Sequence, residues 1–237
     1  MNFVDKNVWI TGASSGIGEA LTYRFNSLGA RVIISSRRES ELQRVKNACK
    51  YPKKVEIVVL DLEKYHDIDN IVSPYLQQFG NIDILINNGG ASQRALVVDE
   101  DLNVVERMIN VNFMGAVALT KAILPSMITH KSGHIVCMSS LAGKFGIPLR
   151  SGYAAAKHAL HGFFETLRAE NYDNGIRVLM VCPGYIRTNV AINALTADGS
   201  PQQTNDPGQE AGLDPDVLAQ KIIKGIEKEK LELLKDL

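Results

Sequence analysis

The sequence predicts an α/β fold: a single doubly wound domain over residues 1–237, with a parallel sheet of about seven strands and helices on both faces. Three observations carry this. Short apolar runs alternate with longer stretches of helical period along the whole chain. Runs such as Ile57-Val58-Val59-Leu60 are apolar at consecutive positions, the pattern of parallel strands covered on both faces. A glycine-rich segment, Thr11 to Gly18, falls directly between the first apolar run and the first helical stretch. The length of 237 residues with 45% hydrophobic content suits one substantial core.

Taken in order, Asn7 to Ile10 reads as the first strand, followed by the glycine turn and a helix through Leu28. Gly12 permits a tight turn, Gly16 lets backbone approach a pyrophosphate, and Gly18 lets the helix pack close on the strand. The partial positive charge and unpaired N–H groups of the helix start favour an anion there, with Ser14 and Ser15 as added donors and Ile17 beside them. The segment therefore has the form of a dinucleotide-binding turn. The second strand, Arg31 to Ser35, ends where a carboxylate would hold the free 2'-hydroxyl of NAD. Ser36, Arg37 and Arg38 stand there instead, and guanidinium forks suit a 2'-phosphate, so NADP (NADPH) is expected over NAD. Solvated arginines, or pairing of either with Glu39, are the competing reading.

Further strands are expected at Val55 to Leu60, Ile82 to Ile86, Ile135 to Met138 and Val178 to Val181. Right-handed crossovers would bring the loops after these strands to one sheet edge, where open α/β sheets bind ligands. A helix is expected over Ser151 to Tyr172, and it carries Tyr153 and Lys157 at i and i+4, on one face. A free phenol has a pKa of about 10, so only about one in a thousand is ionised at neutral pH, and a cation beside it favours the ionised form. Tyr153 next to Lys157 is thus a candidate proton donor, although this spacing alone is also that of an ordinary surface pair.

Thr11 to Gly18, Asn87-Asn88-Gly89-Gly90, Asn112, Ser140, Tyr153 and Lys157 together resemble the short-chain dehydrogenase/reductase family, over nearly the whole chain. Gly89 to Arg94 and Asn193 to Ser200 are similar to its member-7-like branch, some of whose members carry a membrane anchor. The resemblance implies a Rossmann-type oxidoreductase that moves hydride between a nicotinamide and a carbonyl or alcohol. It implies that Ser140, rather than Ser139, bonds the substrate carbonyl, that Tyr153 transfers the proton, that Lys157 holds the nicotinamide ribose, and that Asn112 supports a water-linked proton path. It places Asp61 and Leu62 at the adenine, Asn88 and Gly89 along the cofactor, and Pro183, Gly184, Ile186 and Thr188 around the carboxamide. It also implies a homodimer or homotetramer built on the helices Asn112 to His130 and Ser151 to Tyr172. One departure is Gly89, where the family usually has alanine, so a methyl's worth of slack is expected beside the cofactor. A second is at Lys235, Asp236 and Leu237, where a last strand is expected to be incomplete.

The stretch Ala191 to Pro215 is polar and proline-containing, and the segment at about 185–213 reads as a substrate loop. Asn193, Leu195 and Thr196 would touch substrate if it closes as a lid, whereas 200–210 also has the composition of a disordered linker. Phe145, Ile147, Leu149 and Tyr185 suggest an apolar ketone or aldehyde, or are simply packing. Arg94 and Arg150 are candidates for the basic patch that a 3-oxoacyl-carrier-protein reductase would need. A non-catalytic dinucleotide-sensing regulator is a third reading, and it has no need of the proton-transfer residues.

With 26 basic and 26 acidic residues the net charge is zero, which gives no reason to expect nucleic acid or an anionic membrane as partner. Met1 to Lys6 carries charges and runs into the first strand, so neither a signal peptide nor a membrane span is expected, and the expected location is cytoplasmic. Cys49, Cys137 and Cys182 are too few and too scattered for a disulfide framework, and read as reduced thiols filling the core. His158 and His161 lie at i and i+3 with no cysteine or carboxylate at suitable spacing, so no metal is expected.

Overall fold

In the computed structural model, residues 1–204 and 206–234 are described. Seven strands form one parallel sheet: β1 (Asn7–Thr11), β2 (Arg31–Ser36), β3 (Val55–Val59), β4 (Ile84–Asn87), β5 (Gly133–Met138), β6 (Ile176–Val181) and β7 (Glu232–Leu233). Their order is β3-β2-β1-β4-β5-β6-β7, so the chain winds outward from β1, returns to the middle, and winds out the other way. The reversal between β1 and β4 opens a crevice at the strand carboxyl ends, the ligand position of such sheets.

The consecutive apolar residues divide between two cores because successive strand side chains point to opposite faces. Val8, Ile10, Val32, Ile34, Ile84 and Ile86 enter one layer. There they meet Leu21 and Phe25 of α1 (Gly16–Ser27), Leu42 and Val45 of α2 (Glu39–Ala48) and Leu218, Ile222 and Ile226 of a late helix over Pro215–Glu227. Trp9, Ile33, Leu85, Ile135 and Cys137 enter the other layer, against α3 (Ile68–Phe79) and two long helices described next. Both faces are therefore apolar along β1, β2, β4, β5 and β6. The expectation of full cover fails at β3, where Val59 is 49% exposed. This strand is at the sheet edge.

The helix expected from Asn112 begins earlier. α4 (Leu102–Ile109) runs into one π-helical turn, Asn110–Met114, and on into α5 (Gly115–Thr129). Asn112 sits in the π turn, a distortion often found at functional positions. By length and mean hydropathy the run Leu102–Thr129 would suffice to cross a bilayer, but in this fold Leu119, Ile123 and Met127 are fully buried against the sheet. α6 (Ser151–Asn171) packs on the same face through Leu160, Phe164 and Leu167.

The segment 185–213 is structured within the described residues, which corrects the linker alternative. Ile186 bridges Leu213, Leu195 bridges both Gln93 and Pro201, and a short α7 (Pro207–Glu210) precedes α8 (Pro215–Glu227). Ala191, Ala194, Leu195 and Gln209 are buried. At the other end, β7 contributes only Glu232 and Leu233, paired with Met180 and Val181. Lys235, Asp236 and Leu237 lie outside the described residues.

Candidate active site

One cleft at the strand carboxyl ends gathers residues from widely separated stretches of sequence. Of the residues singled out from the sequence, Ile17, Asn88, Asn112, Ser140, Tyr153, Lys157, Pro183, Gly184, Ile186 and Thr188 line it. Gly12, Ser14, Ser15, Gly16, Gly18, Arg37, Arg38, Asp61, Leu62 and Gly89 do not line that cleft. They lie in the turns that follow β1, β2, β3 and β4 and at the start of α1.

The glycine turn is tied into this edge by contact. Gly12 has φ +65°, the left-handed region, and a Cβ there would also stand 2.7 Å from Gly89 Cα. A Cβ on Gly16 would stand 2.8 Å from Thr188 Cγ2, so the turn abuts the loop after β6. Asn88 crosses back with its Nδ2 donating to Thr11 O at 2.9 Å, while the Thr11 hydroxyl accepts the N–H groups of Asn88 and Gly89 at 3.0 and 2.8 Å. Ser15 is the N-cap of α1 and its side chain makes no capping bond. The helix thus presents uncapped N–H groups beside a backbone turn free of side chains, which fits a dinucleotide phosphate.

Beyond β2, Arg38 Nη2 donates to Ser14 Oγ at 3.1 Å, reaching from the strand end to the glycine turn. Among the described residues no ion pair involves Arg37, Arg38 or Glu39, so the competing pairing is not formed. Arg44 takes Glu19 and Glu41 instead. Asp61 Oδ1 accepts the Glu63 N–H at 3.1 Å, closing the turn after β3.

The expected slack at Gly89 does not exist. A Cβ there would stand 2.6 Å from Leu62 Cδ1, so the leucine end fills the volume that an alanine methyl would take. The same side chain closes on Gly115, where a Cβ would lie 2.7 Å from Leu62 Cβ.

Tyr153 and Lys157 lie one turn apart on α6, with Lys157 Nζ 5.6 Å from the Tyr153 ring centre. Lys157 is 5% exposed, and its ammonium donates to Met138 O at 2.7 Å. Ser139 Oγ donates to Lys157 O at 3.2 Å and meets His161 Nε2 at 3.0 Å, which commits it to holding the helix on the strand end. Among the described residues Ser140 Oγ accepts only the Ala142 N–H, at 3.1 Å, so its own hydrogen remains available toward the cleft. Asn112 Oδ1 accepts the Ala91 N–H at 3.1 Å and its Nδ2 donates to Met108 O at 3.0 Å, which fixes the amide between the loop after β4 and α4.

The charged residues lining the cleft are Arg94, Arg150 and Lys157, with no carboxylate among them. The arginines are not the surface patch expected for a carrier protein, since their side chains are only 13% and 15% exposed. Ile147 and Tyr185 line the cleft, whereas Phe145 and Leu149 point outward at 54% and 42% exposure. Asn193, Leu195 and Thr196 do not line it. Leu195 packs with Val104 and Met108 against Tyr153, and Thr196 bonds Asp198 and Ser200. Sequence reasoning missed Val190 and Gln209, which line the cleft, and Gln93, whose Oε1 accepts the Tyr153 N–H at 3.0 Å. No local pattern marks them, because their roles arise only when distant segments meet.

Three elements also bring His161, Cys182 and Glu232 together behind Ser139, a grouping that sequence spacing did not disclose. Burial holds the His161 imidazole below its ordinary value and pushes the Cys182 thiol up to about 12. Lys144 already pairs with Glu232, so charge in this group is balanced without a cation.

A family model described as short chain dehydrogenase matches residues 6–198. The chain is 44% identical over 236 residues to a dehydrogenase/reductase SDR family protein 7-like of Drosophila melanogaster, covering 97% of this chain and 72% of that protein. It is 45% identical over 201 residues to dehydrogenase/reductase SDR family member 7 of Homo sapiens, covering 82% of this chain and 59% of that protein. Among solved structures, a short-chain dehydrogenase from Streptomyces avermitilis superposes with a TM-score of 0.84 at 29% identity, covering 98% of this chain and 89% of the other. A short chain dehydrogenase/reductase from Burkholderia phymatum, in complex with NAD, gives 0.87 at 24% identity, covering 99% and 90%. With its sheet order, its glycine turn and these matches, the chain belongs to the short-chain dehydrogenase/reductase family and is similar to the member-7-like branch.

Proposed function

We propose that the protein is an NADP-dependent oxidoreductase that interconverts a carbonyl and an alcohol on a largely apolar small molecule, in the cytoplasm and as a homo-oligomer. The observation that carries this is the meeting of Asn112, Ser140, Tyr153 and Lys157 in one cleft beside the uncapped start of α1. The bound nicotinamide supplies the hydride. The chain supplies position and protons. Ser140 donates its free hydrogen to the substrate oxygen, and Tyr153 hands over a proton as charge develops there. Lys157, buried and anchored on Met138 O, presents its remaining hydrogens to the ribose and its charge to the phenol. Asn112, held rigid in the π turn, keeps the loop after β4 open beside Lys157. Arg37 and Arg38, with no carboxylate partner and no acid at the end of β2, support NADP over NAD.

The exposed stripe of α6 at Ala155, His158, Gly162 and Thr166 is narrow enough for a second helix to approach, and a Cβ at Gly162 would touch nothing within 4 Å. That supports assembly across this helix. A calorimetric titration with NADPH and NADH, followed by reduced-nicotinamide absorbance with a panel of apolar ketones and aldehydes, tests the proposal. Tyr153→Phe should abolish turnover and leave NADPH affinity within about twofold; a variant as active as the parent would overturn the assignment.

A further inference from the structure

Two guanidiniums converge at the far end of the cleft. Arg94 Nη2 lies 3.2 Å and Arg150 Nη2 3.7 Å from the same atom, Asp206 Oδ2. Both arginines line the cleft that holds Ser140 and Tyr153, and both are largely shielded from water. Arg94 is fixed from behind, its Nη1 donating to Gln93 O at 2.7 Å and to Ser92 Oγ at 3.1 Å. Arg150 is set by the start of α6, three residues before Tyr153. Two half-buried cations side by side are costly unless an anion faces both. Burial, with the Arg150 charge added, accordingly holds the Arg94 guanidinium below its ordinary value.

Asp206 answers this pair only in part. It brings one negative charge against two positive ones, and it does not belong to the cleft wall. It is the N-cap of α7, with Oδ1 accepting the Gly208 N–H at 2.9 Å, on the segment that covers the cleft. The position of Oδ2 therefore marks where a carboxylate oxygen sits between two guanidinium forks. Leu141, Ile147, Val190 and the ring of Tyr185 add apolar surface to the same cleft wall.

We propose that Arg94 and Arg150 are specificity-determining residues that bind an oxyanion on the carbonyl substrate, so that the preferred substrate is an apolar oxo acid whose carboxylate takes the place of Asp206 Oδ2. The proposal rests on the carbonyl-reducing reading of the cleft. The carboxylate takes no part in the chemistry: the carbonyl carbon gains hydride and its oxygen a proton, and the acid group only anchors the chain. Arg94 and Arg150 favour acids because a bidentate, charge-assisted bond in a dry site is much stronger than any contact an ester offers.

The test compares a medium-chain ω-oxo fatty acid with its methyl ester, using the full chain and NADPH. The acid should be preferred about tenfold or more in kcat/KM, through KM rather than kcat. Arg150→Met and Arg94→Met should each bring the ratio of acid to ester close to one, Arg150→Lys should restore part of it, and Asp206→Asn should improve the acid alone. Binding of the saturated fatty acid and the corresponding alcohol to the NADPH complex, followed by nicotinamide fluorescence, gives the same comparison without turnover. An alkyl phosphate of equal chain length separates the two oxyanion sources, and tighter binding of either anion than of the alcohol supports the site. Equal binding of acid and alcohol overturns it, even where the ester is reduced and the carbonyl reading stands. Acid-selective binding with no carbonyl reduced would instead leave the oxyanion site and remove the reductase reading.

Discussion

Gln93 Oε1 accepts the backbone N–H of Tyr153 at 3.0 Å, so a side chain from the loop after β4 caps the helix that carries the proposed proton donor. Gln93 is fully buried, and its Nε2 also donates to Ser151 Oγ at 3.2 Å and to Glu100. The first N–H groups of a helix have no partner within it, and here one of them is met by a residue that also lies one position from Arg94. Gln93→Leu leaves the Tyr153 N–H and the Glu100 carboxylate without this partner, at a cost of about 1–3 kcal/mol. Thermal unfolding should show that loss. Kinetics should show kcat falling more than NADPH affinity, since the ring is displaced while the nucleotide end is untouched. Unchanged kcat in a variant that melts earlier would reduce Gln93 to a packing role.

The contact of Leu62 with Gly89 predicts a compensating pair. Gly89→Ala drives a methyl into Leu62 Cδ1, and overpacking of this kind costs about 1–3 kcal/mol. Leu62→Val alone leaves a small void and costs about 1 kcal/mol. The double variant should recover most of both losses, and a double-mutant cycle by chemical denaturation measures the coupling. Additive losses would mean that the two sites do not share this volume.

The arginines after β2 make the coenzyme preference measurable. Arg37→Ala and Arg38→Ala should each weaken NADPH by about tenfold or more, the worth of a charge-assisted bond to a 2'-phosphate, and leave NADH within about twofold. The NADPH effect should shrink at high salt, because both side chains are exposed. Calorimetric titration reads both ligands, and equal weakening of NADH and NADPH would contradict the NADP assignment.

Stability should decline on the acid side of neutrality. Burial holds the His134 imidazole below its ordinary value, and its Nε2 has no partner among the described residues. Nearby Arg177 and Lys6 push the same way, against Glu229 and Asp83. His161 is lowered too, again chiefly by burial. Above about pH 6.5 both rings are neutral in folded and unfolded chains and the melting temperature should hold steady. As pH falls below that value the unfolded chain takes protons first, so stability is lost progressively. Melting curves across that range should show a shallower decline in His134→Leu; an identical slope would exclude His134 as a source.

The sheet was legible because its strands are buried on both faces. Val8 and Trp9 are neighbours in sequence and enter opposite cores, so the run must be apolar throughout. The glycine turn was legible as a local spacing with a direct geometric meaning, whereas the Tyr153–Lys157 spacing said only that both side chains share one helix face and needed the surrounding motifs to stand out. Gln93, Gln209 and the Arg94–Arg150–Asp206 group were not, since they act only after segments far apart in sequence meet. The π turn was hidden as well: Asn110 to Met114 reads as ordinary helix, and only the backbone shows the extra residue. The error at Gly89 has the same origin, for nothing near that glycine announces that a leucine from the turn after β3 will fill the space.

That leucine makes the two ends of the nucleotide groove one mechanical unit. Its side chain is a wedge seated between the loop that follows β4 and the first turn of α5, while its backbone belongs to the turn after β3. Exchanging residues after β3 to retune which nucleotide is taken will consequently loosen the floor under Asn88 and the entry to the π turn. Redesign at that end has to be judged by turnover as well as by affinity.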